Sequence, residues 1–120
     1  MNATEKPKEI IELEQVYGIE LEELGFEQFS SQTFFKQKNH FVRNQEGGVI
    51  ALNLRDNNIT EIKGLEPFRK LKHLILANNR LTEIKGLESL TALEELNFLV
   101  NLIKELKGLN NLQALQALNL

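Results

Sequence analysis

The sequence predicts an α/β solenoid, a stack of strand-and-turn units closed at its N-terminal end by a helix and a β-hairpin. Two observations predict this fold class. From residue 49 onward, apolar, asparagine and glycine positions recur every 22 residues without an insertion. Residues 1–48 lack that period and carry a helical pattern and a glycine-containing turn instead. A fixed period in this range is typical of repeat proteins, in which each unit buries its apolar side against its neighbours.

The repeat divides the chain into units 49–70, 71–92 and 93–114, followed by a partial unit 115–120. The period is carried most clearly by Leu52, Leu74, Leu96 and Leu118. At the start of each unit the apolar residues alternate with other residues, which indicates a half-buried strand. Strands are therefore predicted near residues 50–54, 72–76 and 94–98, stacked side by side in a parallel sheet.

Two other recurring positions are interpreted as structural. An asparagine follows each predicted strand, where its side chain can satisfy backbone groups in the turn. These residues are Asn57, Asn79 and Asn101. A glycine lies on the return side of each unit, where a tight bend favours a residue without a Cβ atom. These are Gly64, Gly86 and Gly108.

Residues 1–48 are predicted to cap the first unit. A helix is expected over about residues 7–17, because Ile10 and Leu13 recur at helical spacing and Gly18 follows as a C-terminal stop. A cap strand is expected at about residues 41–43, paired with residues 49–51 across a turn-rich stretch. Phe34, Phe35, Phe41 and Val42 form an apolar, β-favouring stretch, whereas the spacing of residues 19–29 leaves helix and extended chain open.

Composition limits the functional classes. The chain has 120 residues, a net charge of −3 and no cysteine. A slightly acidic chain without a basic excess argues against nucleic acid as a partner. The absence of cysteine excludes disulfides and fits a reducing compartment, so a cytoplasmic location is predicted. No apolar stretch approaches the ~20 residues of a membrane helix, and no secretory signal is visible, so no membrane partner is expected.

No catalytic motif is present. The chain lacks a glycine-rich phosphate loop, a His-Glu-x-x-His pair and a Gly-x-Ser-x-Gly turn. His40 and His73 are the only histidines, which is too few for a metal set. We therefore expect no enzyme activity, no cofactor and no metal site.

Each unit reads L-x-x-L-x-L-x-x-N-x-I/L-x-x-I/L-x-G-L-x-x-L/F. This pattern resembles the leucine-rich repeat family, in its short 22-residue class. The resemblance implies a right-handed superhelix with a parallel β-sheet on the concave face, a surface with which this family commonly binds proteins. It also implies that Asn57, Asn79 and Asn101 form a buried, structural asparagine ladder. The strand positions that would face outward there, besides Ala51, are Asn53, Arg55, His73, Ile75, Ala77, Glu95, Asn97 and Leu99. His73 and Glu95 occupy matching positions in neighbouring units, so either an ion pair or two partner contacts are expected.

The segment before the repeats carries a second resemblance. Residues 12–21 (ELEQVYGIEL) and 39–54 (NHFVRNQEGGVIALNL) resemble the lead-in of some bacterial intracellular leucine-rich-repeat proteins, including the N-terminal region of bacterial Roco-type GTPases. This resemblance implies a regulatory piece of a larger protein. No phosphate-binding loop lies within these 120 residues, so no GTPase activity is expected of them.

Two functions follow as predictions. The first is a non-catalytic module that binds a protein partner through the concave face. The alternative is a structural or self-assembling solenoid fragment, in which two copies meet through the C-terminal end. The third unit carries apolar residues at positions that should face water, namely Leu99, Val100 and Leu102. This indicates either an exposed contact patch or local cover by neighbouring loops. The residues proposed for self-association are Val100, Leu102, Leu118 and Leu120.

Overall fold

The computed structural model describes residues 5–120, so the first four residues of the predicted cap lie outside the described residues. A six-stranded sheet runs through the described chain in sequence order. Its strands are β1 (Glu22–Glu23), β2 (His40–Arg43), β3 (Val49–Asn53), β4 (His73–Ile75), β5 (Glu95–Asn97) and β6 (Ala117–Asn119). β3 to β6 pair in parallel, which confirms the predicted stack of repeat strands.

The register of the stack follows the period of the sequence. Leu52 lies opposite Leu74, Leu74 opposite Leu96, and Leu96 opposite Leu118. Equal spacing places equivalent residues at equal height in neighbouring strands, so each of these units presents a leucine to the core at this position. The observed strands fall within two residues of the predicted limits, and β4 and β5 are shorter than expected at three residues each.

The core lies on one side of the sheet and consists of stacked leucine and isoleucine columns. Leu52, Leu74 and Leu96 are fully buried, and Phe98 takes the place that Leu54 and Leu76 hold in earlier units. Burying one such side chain contributes roughly 1.5–3 kcal/mol relative to leaving it exposed. The core is therefore built column by column from the repeat, and its stability depends on contacts between neighbouring units.

An α-helix, α1 (Lys8–Tyr17), packs on the first unit. Ile10 and Leu13 face the core, and Gly18 ends the helix in the left-handed conformation at φ 65°. The Tyr17 hydroxyl accepts a hydrogen bond from the Lys63 backbone N–H at 2.7 Å and lies 2.9 Å from the Lys63 carbonyl. This hydroxyl therefore connects the helix to the return side of unit 49–70.

β2 and β3 form an antiparallel hairpin, with Phe41 opposite Leu52 and Val42 opposite Ala51. The connecting turn is organised by Asn44, whose Oδ1 accepts from the backbone N–H groups of Glu46 and Gly48 at 3.0 and 2.9 Å. Such side-chain bonds to the backbone are why asparagine favours turns. The two-residue β1 then adds to β2 in parallel, which the sequence did not indicate.

The return side of each unit passes through a glycine with positive φ. Gly108 adopts φ 83°, and a Cβ atom there would lie 2.3 Å from the Ile84 carbonyl oxygen. Both the backbone conformation and the close approach of the preceding unit therefore require glycine at this position.

Candidate functional site

The outer strand face, meaning the side of the sheet that points away from the leucine core, is partly covered by the chain itself. Residues 24–35, here called the strap, contain a short 3-10 helix (Phe26–Gln28) and a one-turn helix, α2 (Ser31–Phe34). Phe34 is 1% exposed within a second apolar cluster that also contains Ala51 and Ile75. Leu24, Phe29 and Phe35 pack against the same cluster. The strap thus occupies the outer strand face of the first two units.

The interpretation of Phe34, Phe35, Phe41 and Val42 as β-favouring is confirmed for Phe41 and Val42, which lie in β2, and is wrong for Phe34 and Phe35, which lie in and next to α2. The physical reason is tertiary. Phe34 and Phe29 stack edge to face with ring centroids 5.3 Å apart, and a helical turn at Ser31–Phe34 is what brings them together on the outer strand face. Such aromatic pairs add a favourable contact beyond the area they bury.

Hydrogen bonds from the first repeat unit hold the C-terminal end of the strap on the sheet. Asn53 Nδ2 donates to the carbonyl oxygens of Phe34 at 2.7 Å and Phe35 at 3.0 Å. Arg55 Nη1 donates to the Phe35 carbonyl at 2.9 Å, and its guanidinium carbon lies 4.2 Å from the centre of the Phe35 ring. Arg55 also bonds Asp56, and this hydrogen bond is the main reason that the pKa of the Asp56 carboxyl lies below its usual value.

His73 and Glu95 contact each other, which is one of the two alternatives that their matching positions left open. His73 Nδ1 lies 2.9 Å from Glu95 Oε1, across neighbouring strands β4 and β5. The other side of the imidazole faces the strap, with its ring centroid 5.1 Å from that of Phe29. The pair therefore lies at the border between the covered and the uncovered parts of the outer strand face.

The predicted contact residues consequently separate into two groups. The expectation that they all face solvent is wrong for Asn53, Ile75 and Ala77, which are 0%, 4% and 2% exposed, because the strap covers their part of the face. It is also wrong for Asn97, which is only 6% exposed although it lies beside the strap. Ala51 is buried in the same way. Arg55 and His73 are half-buried and contact the strap. Glu95, Asn97 and Leu99 remain beside the strap without being covered by it.

These three residues line a groove of about 350 Å³, here called the strap groove. One wall is the edge of the strap and the other is formed by strand positions of the later units. The groove is lined by Ser31, Gln32, Phe35, Ile75, Glu95, Asn97, Leu99 and Asn119. Its composition is mixed, with apolar side chains beside amide groups that can bond a peptide backbone.

The asparagine ladder lies at the edge of the sheet, in the turns that follow the strands. Asn79 Oδ1 accepts from the backbone N–H groups of Asn57 and Ile59, both at 3.0 Å. Its Nδ2 donates to the carbonyls of Leu54 and Leu76 at 3.0 Å. Asn101 repeats the arrangement one unit later, accepting from the Leu81 N–H at 2.9 Å. Because the amide groups of these side chains already bond backbone groups, the ladder leaves few donors or acceptors for a ligand.

The third unit ends in an apolar surface, here called the open end. Leu106 is 62% exposed, whereas Ile62 and Ile84 at the same position of earlier units are 4% and 3% exposed. Val100 and Leu102 are 70% and 54% exposed, so local cover by neighbouring loops is the wrong alternative for them. A groove of about 410 Å³ lies there between Phe98, Ile103, Leu106 and Leu120 among others. Leu118, in contrast, is partly buried against the core.

Val100 is also strained. It adopts φ 58°, the left-handed region that Asp56 and Asn78 occupy at the same position of the earlier units. Aspartate and asparagine tolerate this conformation, whereas a β-branched residue there is an outlier. The third unit therefore carries an exposed and strained valine where its neighbours carry a favourable polar residue.

A comparison with protein families agrees with the geometry. The family model described as "Leucine Rich repeats (2 copies)" matches residues 49–89 and again residues 69–111, which together exceed half of the chain. The chain belongs to the leucine-rich repeat family. Domains of this family are commonly non-catalytic protein-interaction modules. A search of curated proteins found no match to this leucine-rich repeat chain.

The described part of the chain offers neither a metal site nor a membrane-spanning helix. Within residues 5–120, no cluster of three or more histidine, aspartate or glutamate side chains is arranged to hold a metal ion. No helix in that range is both long and apolar enough to cross a membrane. The strap groove and the open end are therefore the surfaces from which a function of this leucine-rich repeat chain can be argued.

Proposed function

We propose that this leucine-rich repeat chain is a non-catalytic module that binds a protein partner through the strap groove. The observation that carries the proposal is the division of the outer strand face. Its first half is already filled by the aromatic side chains of the strap, and its second half presents Glu95, Asn97 and Leu99 unfilled beside them. A partner that enters the groove contacts the repeat strands and the strap together.

The groove has the composition of a recognition site. Leu99 is 38% exposed and Phe35 is half-buried, so both have apolar surface left to cover. Binding sites combine such apolar surface with a few oriented polar groups, here the amides of Asn97 and Asn119. The lead-in resemblance described above supports a role as the regulatory N-terminal part of a larger protein.

A capture experiment with matched variants tests the proposal. The chain is immobilised, exposed to lysate of its source cells, and the retained proteins are identified and quantified. We expect Leu99→Glu to abolish capture of the specific partner, because a carboxylate would have to be buried in the groove. Thr91→Glu adds the same charge at an exposed site outside both surfaces and is expected to leave capture unchanged.

The second candidate is self-association through the open end, supported by the exposure of Leu106, Val100 and Leu102. An apolar surface of this kind on a repeat unit is normally covered by the next unit, and a second copy presents the same chemistry. The charges are self-complementary, since Lys104 and Glu105 both line the groove and can pair across a two-fold axis.

Light scattering over a concentration series tests the second candidate. If two copies meet at the open end, the mass doubles with rising concentration and Leu106→Glu prevents the increase. Leu99→Glu serves as the matched control, because it makes the same substitution on the other surface. A monomer at every concentration in the unsubstituted chain contradicts self-association and leaves the strap groove as the candidate.

A further inference from the structure

Asn53 and Asn97 hold the same position in units one and three, and their side chains are fixed in the same way. Asn53 Oδ1 accepts from the Arg55 backbone N–H at 3.1 Å, and Asn97 Oδ1 accepts from the Leu99 backbone N–H at 2.9 Å. Because the oxygen of each amide is held by its own strand, the Nδ2 group of each is directed to the outer strand face.

The two Nδ2 groups differ in what they meet. That of Asn53 donates to two carbonyl oxygens of the strap. That of Asn97 has no partner among residues 5–120. In this part of the chain every fully buried side-chain nitrogen or oxygen has a hydrogen-bond partner, so the Asn97 Nδ2 group reaches solvent at the groove. It does so from a side chain that is only 6% exposed.

The Asn97 Nδ2 group is positioned to donate a hydrogen bond to a peptide carbonyl. The amide is already oriented, so little freedom is lost when a bond forms, and the low exposure of the Asn97 side chain strengthens that bond. The strap shows which chemistry fits beside it. Around Asn53, a helical turn presents two main-chain carbonyls and inserts the ring of Phe34 into an apolar cluster that includes Ile75.

The strap groove offers the same elements one step further along the sheet. Phe35, Ile75 and Leu99 provide the apolar walls, and Asn97 provides the donor. The volume of about 350 Å³ lies near the lower limit of binding pockets, ~300–1,000 Å³. It has room for one large side chain with its adjoining peptide units, but not for a whole folded element.

We infer that the strap groove binds a peptide turn of a protein partner, whose main-chain carbonyl accepts from Asn97 Nδ2 while an aromatic side chain fills the space between Phe35, Ile75 and Leu99. The inference rests on the proposed function and names the kind of partner. The strap is thus an internal copy of the ligand, bound on the first half of the face as the partner turn is bound on the second half.

The first test uses a synthetic peptide copied from residues 26–36 (FEQFSSQTFFK), with both ends blocked, and the complete isotope-labelled chain. The NMR signals of the Asn97 and Asn53 side-chain amides are followed during titration. We expect a saturable shift at Asn97 and none at Asn53. The same peptide with both residues of its Phe-Phe pair replaced by alanine is the matched control and should not bind.

The second test separates the donor from the structural role of Asn97. Asn97→Asp retains an oxygen that can accept from the Leu99 N–H but removes the Nδ2 donor, so peptide affinity should fall about tenfold, as for the loss of one hydrogen bond. Leu99→Ser removes a groove wall at an exposed position and should weaken binding even if Asn97→Asp fails to fold. Leu106→Ser, the same change at the open end, should bind the peptide normally.

The inference is overturned if the Asn97 signal is unchanged at peptide concentrations of ~1 mM, the limit of weak binding. It is also overturned if the Asn53 signal moves, because the peptide would then be displacing the strap. Full affinity in Asn97→Asp has the same consequence. If capture of a partner from lysate is still abolished by Leu99→Glu in any of these cases, the proposed function stands without this inference.

Discussion

Truncating Asn79 should destabilise the fold more than truncating either of the other two ladder asparagines. In Asn79→Ala, the backbone N–H groups of Asn57 and Ile59 lose the acceptor that both of them use. The carbonyls of Leu54 and Leu76 also lose a donor, but each retains a bond from a neighbouring ladder asparagine. The substitution therefore leaves two backbone N–H groups without an acceptor, next to a position where the Asn79 side chain is only 7% exposed.

The magnitude follows from this count. A buried donor left without a partner costs about 1–3 kcal/mol, so Asn79→Ala should lower the free energy of unfolding by about 2–6 kcal/mol. Asn101 Oδ1 accepts from the Leu81 N–H, so Asn101→Ala strands one donor and should cost about 1–3 kcal/mol. Among the described contacts, Asn57 donates through Nδ2 but its oxygen accepts nothing, so Asn57→Ala should cost about 1 kcal/mol.

Urea unfolding followed by circular dichroism measures the three differences, because the midpoint and slope together give the free energy of unfolding. In thermal melts, each 1 kcal/mol corresponds to about 3–5 °C for a domain of this size. Asn110→Ala, at an exposed position, is the matched control and should melt with the unsubstituted chain.

The order of the three variants is the decisive result. If Asn57→Ala lowers the free energy of unfolding as much as Asn79→Ala does, the unsatisfied N–H groups do not account for the stability that the ladder provides. If Asn79→Ala melts like Asn110→Ala, the ladder contributes nothing to stability and the reasoning is refuted.

Three further predictions concern single residues. Val100→Asn should raise the free energy of unfolding by ~1 kcal/mol in urea melts, because asparagine tolerates the left-handed conformation that strains valine; an unchanged midpoint contradicts this. Burial raises the pKa of the Tyr17 phenol, so the stability it provides is complete below the unfolded pKa of ~10 and is lost as pH rises through the folded value. Alkaline melts of the unsubstituted chain should therefore lose more stability than those of Tyr17→Phe. Gly108→Ala should cost clearly more than Gly47→Ala in the same urea assay, because both have positive φ but only Gly108 would press a Cβ against a carbonyl oxygen; equal costs would exclude that contact.

The arrangement of the repeats could be read from the sequence because it is encoded locally and then repeated. One residue at each position of the period, such as Leu74, determines which side of its strand is apolar, and the constant spacing places it opposite Leu52 and Leu96. The asparagine ladder was predictable for the same reason, since a turn follows every strand. Sequence reasoning also identified Glu95, Asn97 and Leu99 as outward positions, although it did not separate them from the residues that are covered.

Only the tertiary structure decided how much of the outer strand face is free. The strap carries no period, and its α2 helix is a single turn, too short for sequence periodicity to reveal. Its position depends on contacts that are distant in the chain, such as Asn53 with the carbonyls of Phe34 and Phe35. The concentration of phenylalanine at residues 26–35 was the one available signal, but an aromatic cluster indicates that something is buried without indicating against what. Local pattern therefore determined the solenoid, whereas long-range packing of one aperiodic segment determined where a partner can bind.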